Sequence, residues 1–482
     1  MSRRRPAAAT LVNLALAPFA GGRRRPEAAW RKAADAAAAR AGRPLGDDRA
    51  FADEQGFLLS CLAAAGGVTP LGWTAAATEA KTRLENRLRI SALVEAHPEI
   101  PDGEIRRPVF VVGLPRTATT LAHKVLALAP GHRAPLMWEM LHTGVETDPA
   151  AVERLVRARS RQVALTPRIA PGWEVMHPVG ADQPEESLFV LPHGHYYRVL
   201  RGELPGYRAW LDARDTVPDY EYLKLALQVL QYGREPRRWI LKYPAHLGDV
   251  DAIREVFPDA VFVWTHRDPA TAAGSMCSLM ETSWGIYRER VDPEAVGRIA
   301  LGEMARIVER GMAARAALPP ESIVDVPYAM LAEDPHAAVP RIYEAIGADW
   351  TDADAANLGS ALARPTTARH EYALDRYGLD PDRITEALGD YPELPASLEA
   401  LGLVGLRVRL VVSALAAQGL HEDHADDDDH EQAEQDRGQG RAGVRLLVIA
   451  VAVGGGRGRR RGLGIRRLGR LARRSLLQSG RL

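Results

Sequence analysis

Cysteine is nearly missing from this chain: Cys61 and Cys277 are the only two in 482 residues. They lie far apart and in no metal-ligand spacing. That argues against a disulfide framework or a thiolate metal site and suits reduced thiols in a cytoplasmic protein. Lysine is scarce, five against 57 arginines, so an arginine says little by its type and a retained lysine says more. Net charge is zero, which removes the bulk field that would gather nucleic acid or an anionic membrane. No apolar run reaches the roughly 18 residues that read as a membrane span. The N-terminal MSRRRPAAATLVNLALAPFAGGRRR superficially resembles an export signal. Its apolar run, however, is short, interrupted by Asn13 and Pro18, and followed by more arginines. Aromatic residues stop at Tyr391.

What is present, 46% hydrophobic and 26% charged residues, is ordinary for a soluble globular protein. Residues 1–45, rich in Ala and Arg, are expected to be poorly ordered or a loosely attached helix. Residues 46–104 read as a helical cap. Phe51, Phe57, Leu58, Cys61 and Leu62 make one apolar face and TRLENRLRISALVEA supplies another. Residues 105–400 read as the main domain. Residues 401–482 read as a low-complexity tail: HEDHADDDDHEQAEQD holds nine acids without a basic partner, and the stretch from Arg437 on holds thirteen arginines without an acid. Opposite charge blocks lacking aromatics cannot build a core and stay solvated.

Within the main domain, short β-branched runs alternate with helical patterns. Val109–Val112 is a fully buried strand by composition, and RAPLMWE, from Arg133 to Glu139, sits where a second strand or its exit belongs. Strands are also expected at 239–244, 260–265 and 322–326. Helices are expected at 151–166, 220–232, 246–256, after Pro269, and at 340–346. The region from Pro171 to Pro192 is loop-rich and carries His177 and the acidic pair Glu185 and Glu186. This alternation predicts an α/β fold, a parallel sheet with helices on both faces. Ligands of such sheets bind at the carboxyl ends of the strands. Lys242, Arg267 and the turn after Val112 all fall at strand ends, so they can converge on one ligand.

That turn reads GLPRTATT, from Gly113 to Thr120, and opens a helix. A strand, a tight turn and a helix beginning in hydroxyls and a cation form a phosphate cradle, because the helix N-terminus offers unpaired N–H groups and its positive dipole end. The nucleoside triphosphatase loop GxxxxGK[ST] fits poorly. Ala118 stands where its second glycine belongs and Thr119 where its lysine belongs, while the cation, Arg116, comes three positions earlier. Losing that lysine disfavours triphosphate chemistry.

Six motifs in order, GLPRTATT, RAPLMWE, WILKYPAHL, FPDAVFVWTHRDPATAAGS, YAMLAEDP and RHEYALDRYGLD, resemble the bacterial branch of the sulfotransferase family. That family uses 3′-phosphoadenosine 5′-phosphosulfate. The resemblance spans roughly Asp47 to Pro395. It implies sulfuryl transfer from that co-substrate, without a metal, to a hydroxyl or amine of a small-molecule acceptor. It further implies that Gly113, Pro115, Arg116, Thr117, Ala118, Thr119 and Thr120 hold the 5′-phosphosulfate and that Arg267 and Ser275 hold the 3′-phosphate. Arg116 and Lys242 would stabilise charge on the departing phosphate. Relatives with this layout place a glutamate at about the distance of Glu139 beyond the loop, which makes Glu139 the expected base, ahead of His246 and then His177. Arg369 and His370 are further candidates for nucleotide contact, and His266 reads as structural. The family loop usually reads PR[TS]GTT, and this chain has Ala118 at the glycine. Alanine is harmless if that position lies in the first helical turn, the expected case, and costs on the order of 1 kcal/mol if it needs positive φ. Two rival readings are a phosphotransferase of nucleoside-kinase type and a catalytically weak nucleotide-binding member of the fold. The acceptor is expected to be shaped by the cap and by residues 171–215. No nucleic-acid partner is expected, and the sequence leaves the oligomeric state open, a dimer included.

Overall fold

The computed structural model describes residues 6–401 except 147, 172, 174–178, 194–196 and 363–372, and gives the backbone alone at 197, 198, 360, 361 and 399–401. Most of the expected charged tail, and with it His177, Arg369 and His370, therefore lies outside the described residues.

Five strands, β1 (Val109–Gly113), β2 (His132–Arg133), β3 (Arg238–Lys242), β4 (Val261–His266) and β5 (Ile323–Pro327), form one sheet in the order β2-β3-β1-β4-β5. Every neighbouring pair is parallel, with Val109 opposite Ile240 on one side and Val261 on the other. Each strand coincides with or overlaps a predicted one, and the α/β architecture is as expected. The chain leaves β1 towards β2 and β3, then crosses to β4 and β5. The order thus reverses beside β1, where such sheets open a crevice at the carboxyl edge.

Alternation along β1 explains its central place. Val109 and Val111 enter one core face with Ala122, Val125, Leu126, Ile342 and Tyr343, drawn from the helices α5 (Thr119–Leu126) and Pro335–Ile346. Phe110 enters the other face, its ring 5.6 Å from Phe257 and 6.0 Å from Phe262. All five β1 residues are buried. Burying the side chain of a Val or Phe is worth about 1.5–3 kcal/mol, so both layers are anchored on this strand.

The first 45 residues differ from expectation. Among them α1 (Ala7–Leu16) and α2 (Pro26–Arg40) are helices packed on α3 (Arg49–Ala64) and α4 (Pro70–Ala96). Trp30 is the reason for α2: its indole N–H donates to the Ala52 carbonyl at 2.6 Å, and its ring lies where a Cβ at Gly56 would sit. Asn13 does the same for α1, its Oδ1 accepting the backbone N–H of Leu71 at the start of α4. An alanine- and arginine-rich composition hides one tryptophan and one asparagine that carry the docking. Among the described residues no helix is long and apolar enough to cross a membrane.

Candidate active site

The turn after β1 is built from unusual backbone. Gly113 has φ 139°, and a Cβ there would sit 2.5 Å from the Thr265 carbonyl of β4, so only glycine fits. Thr117 is fully buried; its hydroxyl donates to the Leu114 carbonyl at 2.8 Å and meets the Thr265 hydroxyl at 2.6 Å. These residues shape the loop from beneath: the Thr117 side chain is spent inside the fold, which leaves its backbone to face the crevice side of the turn. Arg116 and Ala118 both lie in the left-handed region, φ 72° and 67°. Ala118 is the N-cap of α5 and not a residue of its first turn, which overturns the expectation that alanine there is harmless. Left-handed residues at alternate positions turn successive N–H groups towards one side, an anion-binding nest. The Ala118 side chain caps none of the open N–H groups of α5.

Pro115, Arg116, Ala118, Thr119 and Thr120 line a crevice of about 750 Å³, and Arg267 lines the same crevice. The two expected phosphate clusters touch. Arg116 Nε donates to Ser275 Oγ at 3.0 Å, and Arg267 Nη1 donates to the Arg116 carbonyl at 3.0 Å. The Arg267 guanidinium also lies over the Tyr328 ring, 4.0 Å from its centre. Arg267 follows β4 directly, whereas buried Ser275 sits on the helix Pro269–Tyr287, whose N-cap Asp268 accepts the Thr271 N–H at 2.8 Å.

Two of the expected catalytic groups are elsewhere. Glu139 is buried on α6 (Met137–Leu141), away from the crevice wall. Its carboxylate pairs with Arg133 at 2.6 Å and Arg234 at 3.0 Å and accepts the Leu136 N–H at 3.0 Å. It closes a capping box between two guanidiniums and does not line the crevice. His246 has no exposed surface; its ring nitrogens bond the Ser187 hydroxyl at 2.6 Å and the Tyr220 hydroxyl at 2.8 Å, and the Phe110 ring meets it edge-to-face with centroids 5.2 Å apart.

Two carboxylates among the described residues line the crevice, Glu186 and Glu303; Glu303 is taken by Arg306 at 2.7 Å, and Glu186 is paired with the Nζ of Lys242 at the end of β3. Lys242 is almost fully covered, while the Glu186 side chain keeps some exposure, so the lysine backs the glutamate and the glutamate faces the space. The segment carrying Glu186 is fixed on α6: Met137 N–H donates to the Gln183 carbonyl, Trp138 N–H to Ala181, and Glu185 N–H to Pro135. The acidic pair was visible in the sequence; the pairing that aims it was not. Tyr243, also on the wall, is pushed well above the ordinary phenol range by burial and by the carboxylates of Glu186, Glu303 and Asp249, so it stays a neutral phenol at physiological pH.

Residues 108–352, just over half of the chain, match the sulfotransferase family model. Omega-hydroxy-beta-dihydromenaquinone-9 sulfotransferases of Mycobacterium bovis and Mycobacterium tuberculosis are 27% identical over 259 residues, which is 50% of this chain and 62% of theirs. The match therefore leaves more than a third of those curated relatives uncovered. A crystal structure of a sulfotransferase from Mycobacterium tuberculosis superposes with TM-score 0.66 at 29% identity, covering 74% of this chain and 98% of that one. One from Mycobacterium avium gives 0.66 at 28%, covering 76% and 96%. The five-stranded parallel sheet, the left-handed anion loop at the end of its central strand and these matches agree: the chain belongs to the sulfotransferase family.

Proposed function

We propose that this protein transfers a sulfuryl group from 3′-phosphoadenosine 5′-phosphosulfate to a hydroxyl or amine of a small-molecule acceptor, with Glu186 as the base. The contact of Arg116 with Ser275 and of Arg267 with the Arg116 carbonyl carries this reading. Two donor clusters meeting at one crevice suit a nucleotide phosphorylated at two positions better than a linear triphosphate tail. The residues present fit such a donor: a nest of backbone N–H groups, an uncapped helix N-terminus and two guanidiniums all favour anions.

The co-substrate supplies an activated sulfur–oxygen bond. The loop N–H groups, Arg116 and the Thr119 and Thr120 hydroxyls bind the 5′ end, and Arg267 with Ser275 binds the 3′-phosphate. Glu186 takes the acceptor proton as the new oxygen–sulfur bond forms, and the adenosine bisphosphate leaves with the electrons of the broken one. Arg116 stabilises charge on that leaving group. Lys242 acts one layer behind, holding the Glu186 carboxylate in place. The curated relatives' printed name, a sulfotransferase acting on a hydroxylated quinone, is consistent with oxygen as the accepting atom.

Calorimetry with adenosine 3′,5′-bisphosphate tests the donor site. Arg267→Ala is expected to weaken binding at least tenfold, with the parent showing no comparable affinity for magnesium ATP. Unchanged affinity in Arg267→Ala refutes the nucleotide assignment.

A further inference from the structure

The crevice does not end at the anion loop. It is also lined by Leu188, Phe189, Val199 and Leu200 and by the helix Pro269–Tyr287, and this part of its wall is apolar. Phe189, Val199, Leu200, Leu279 and Ile286 all line it, and all keep part of their apolar surface uncovered by protein. Fully buried Met280 lies among them. The polar side chains on this stretch of wall are already engaged. Arg201 pairs with Glu79 at 3.1 Å and lies over the Tyr287 ring, Glu303 pairs with Arg306 at 2.7 Å, and Ser283 donates to the Leu200 carbonyl at 2.6 Å.

From this lining we infer that the acceptor is an apolar alcohol, a molecule with a hydrocarbon body of acyl, isoprenoid or fused-ring type and one hydroxyl at its end. The inference rests on the proposed function and names the acceptor class of that same site. Its physical basis is the penalty for mismatch. Each sugar hydroxyl left unpaired against this wall costs on the order of 1–3 kcal/mol, which removes polyols. An apolar body instead gains about 25 cal/mol for each Å² it hides from water, at both its own surface and the wall. A cavity of about 750 Å³ lies in the upper range of small-molecule sites, with room for a hydrocarbon body beside a nucleotide. Glu186 and the anion loop share this crevice with the apolar wall, so the hydroxyl is the part of the acceptor that turns to Glu186. Leu279 and Ile286 are then specificity-determining residues for the hydrocarbon body.

Two readouts test this on the full-length protein. In the first, farnesol and dodecanol compete with the apolar probe 1-anilinonaphthalene-8-sulfonate for the protein without donor, against trehalose. In the second, the same three compounds serve as acceptors with 3′-phosphoadenosine 5′-phosphosulfate. The alcohols are expected to displace the probe and to give kcat/KM at least tenfold above trehalose. Leu279→Asp and Val199→Asp, both at incompletely buried positions, are expected to weaken alcohol competition tenfold or more while leaving adenosine 3′,5′-bisphosphate affinity within twofold. Preference for trehalose, or alcohol competition untouched by both substitutions, overturns the inference. Alcohol binding that responds to Leu279→Asp in a protein that fails to bind the bisphosphate would instead refute the donor reading and leave the apolar site standing.

Discussion

Glu186→Gln and Glu139→Gln, measured side by side, separate the base that the crevice presents from the one that the spacing suggested. At Glu186 the amide keeps the shape but cannot take a proton. General base catalysis contributes typically 10²–10⁴-fold, so kcat should fall by that factor, equivalent to about 2.7–5.4 kcal/mol at 1.36 kcal/mol per decade. Adenosine bisphosphate affinity should stay within a few fold, because Glu186 belongs to the acceptor side. Glu139 is different. Its carboxylate is buried, and its partners Arg133 and Arg234 are 15% and 29% exposed. Breaking a buried ion pair costs about 3–5 kcal/mol, and the partial exposure of Arg234 puts this one at or below the low end. Glu139→Gln should therefore lower the unfolding free energy by about 2–3 kcal/mol while the folded fraction turns over at nearly the parental rate. Stopped turnover assays normalised to bisphosphate-binding sites, with urea unfolding in parallel, read both quantities. Near-parental kcat in Glu186→Gln, or a hundredfold loss in folded Glu139→Gln, would refute the assignment.

Two further outcomes follow from the same geometry. Ala118→Gly relieves a left-handed alanine that costs about 1–2 kcal/mol, partly offset by the greater freedom of glycine in the unfolded chain; a net gain of about 0.5–1 kcal/mol in denaturant titration is expected, and a loss would mean that the Ala118 methyl packs favourably. His193 bridges Asp219 at 2.7 Å and Glu54 at 2.8 Å. Burial pulls its pKa down, but the two carboxylates outweigh burial and hold it above its ordinary 6.5. Its contribution is thus fully present below about pH 6.5 and is lost as pH rises through the raised folded value, so thermal stability should decline on the alkaline side and His193→Gln should flatten that decline.

The sequence by itself determined the sheet and the loop. The β-branched run Val109–Val112 reads as a buried strand and Gly113 to Pro115 as its break, so the strand positions, the parallel sheet and the turn that opens α5 were legible from local chemistry. The sequence put Arg267 just past a strand end and Ser275 in the next helix, and the fold brings both against Arg116. Glu139 and Glu186 were not separable that way. Both are acids, and which one faces the crevice depends largely on pairings remote in sequence: Arg234, 95 residues away, joins Arg133 in claiming Glu139, and the backbone of residues 135–138 holds segment 181–186 so that Glu186 meets Lys242, 56 residues on. The left-handed state of Ala118 was likewise not legible: its φ of 67° belongs to a loop whose neighbours Thr117 and Arg116 are held by Thr265 and Arg267. Burial and ion pairing across the fold are properties of three-dimensional proximity, and side-chain roles that rest on them emerge only when the chain is closed.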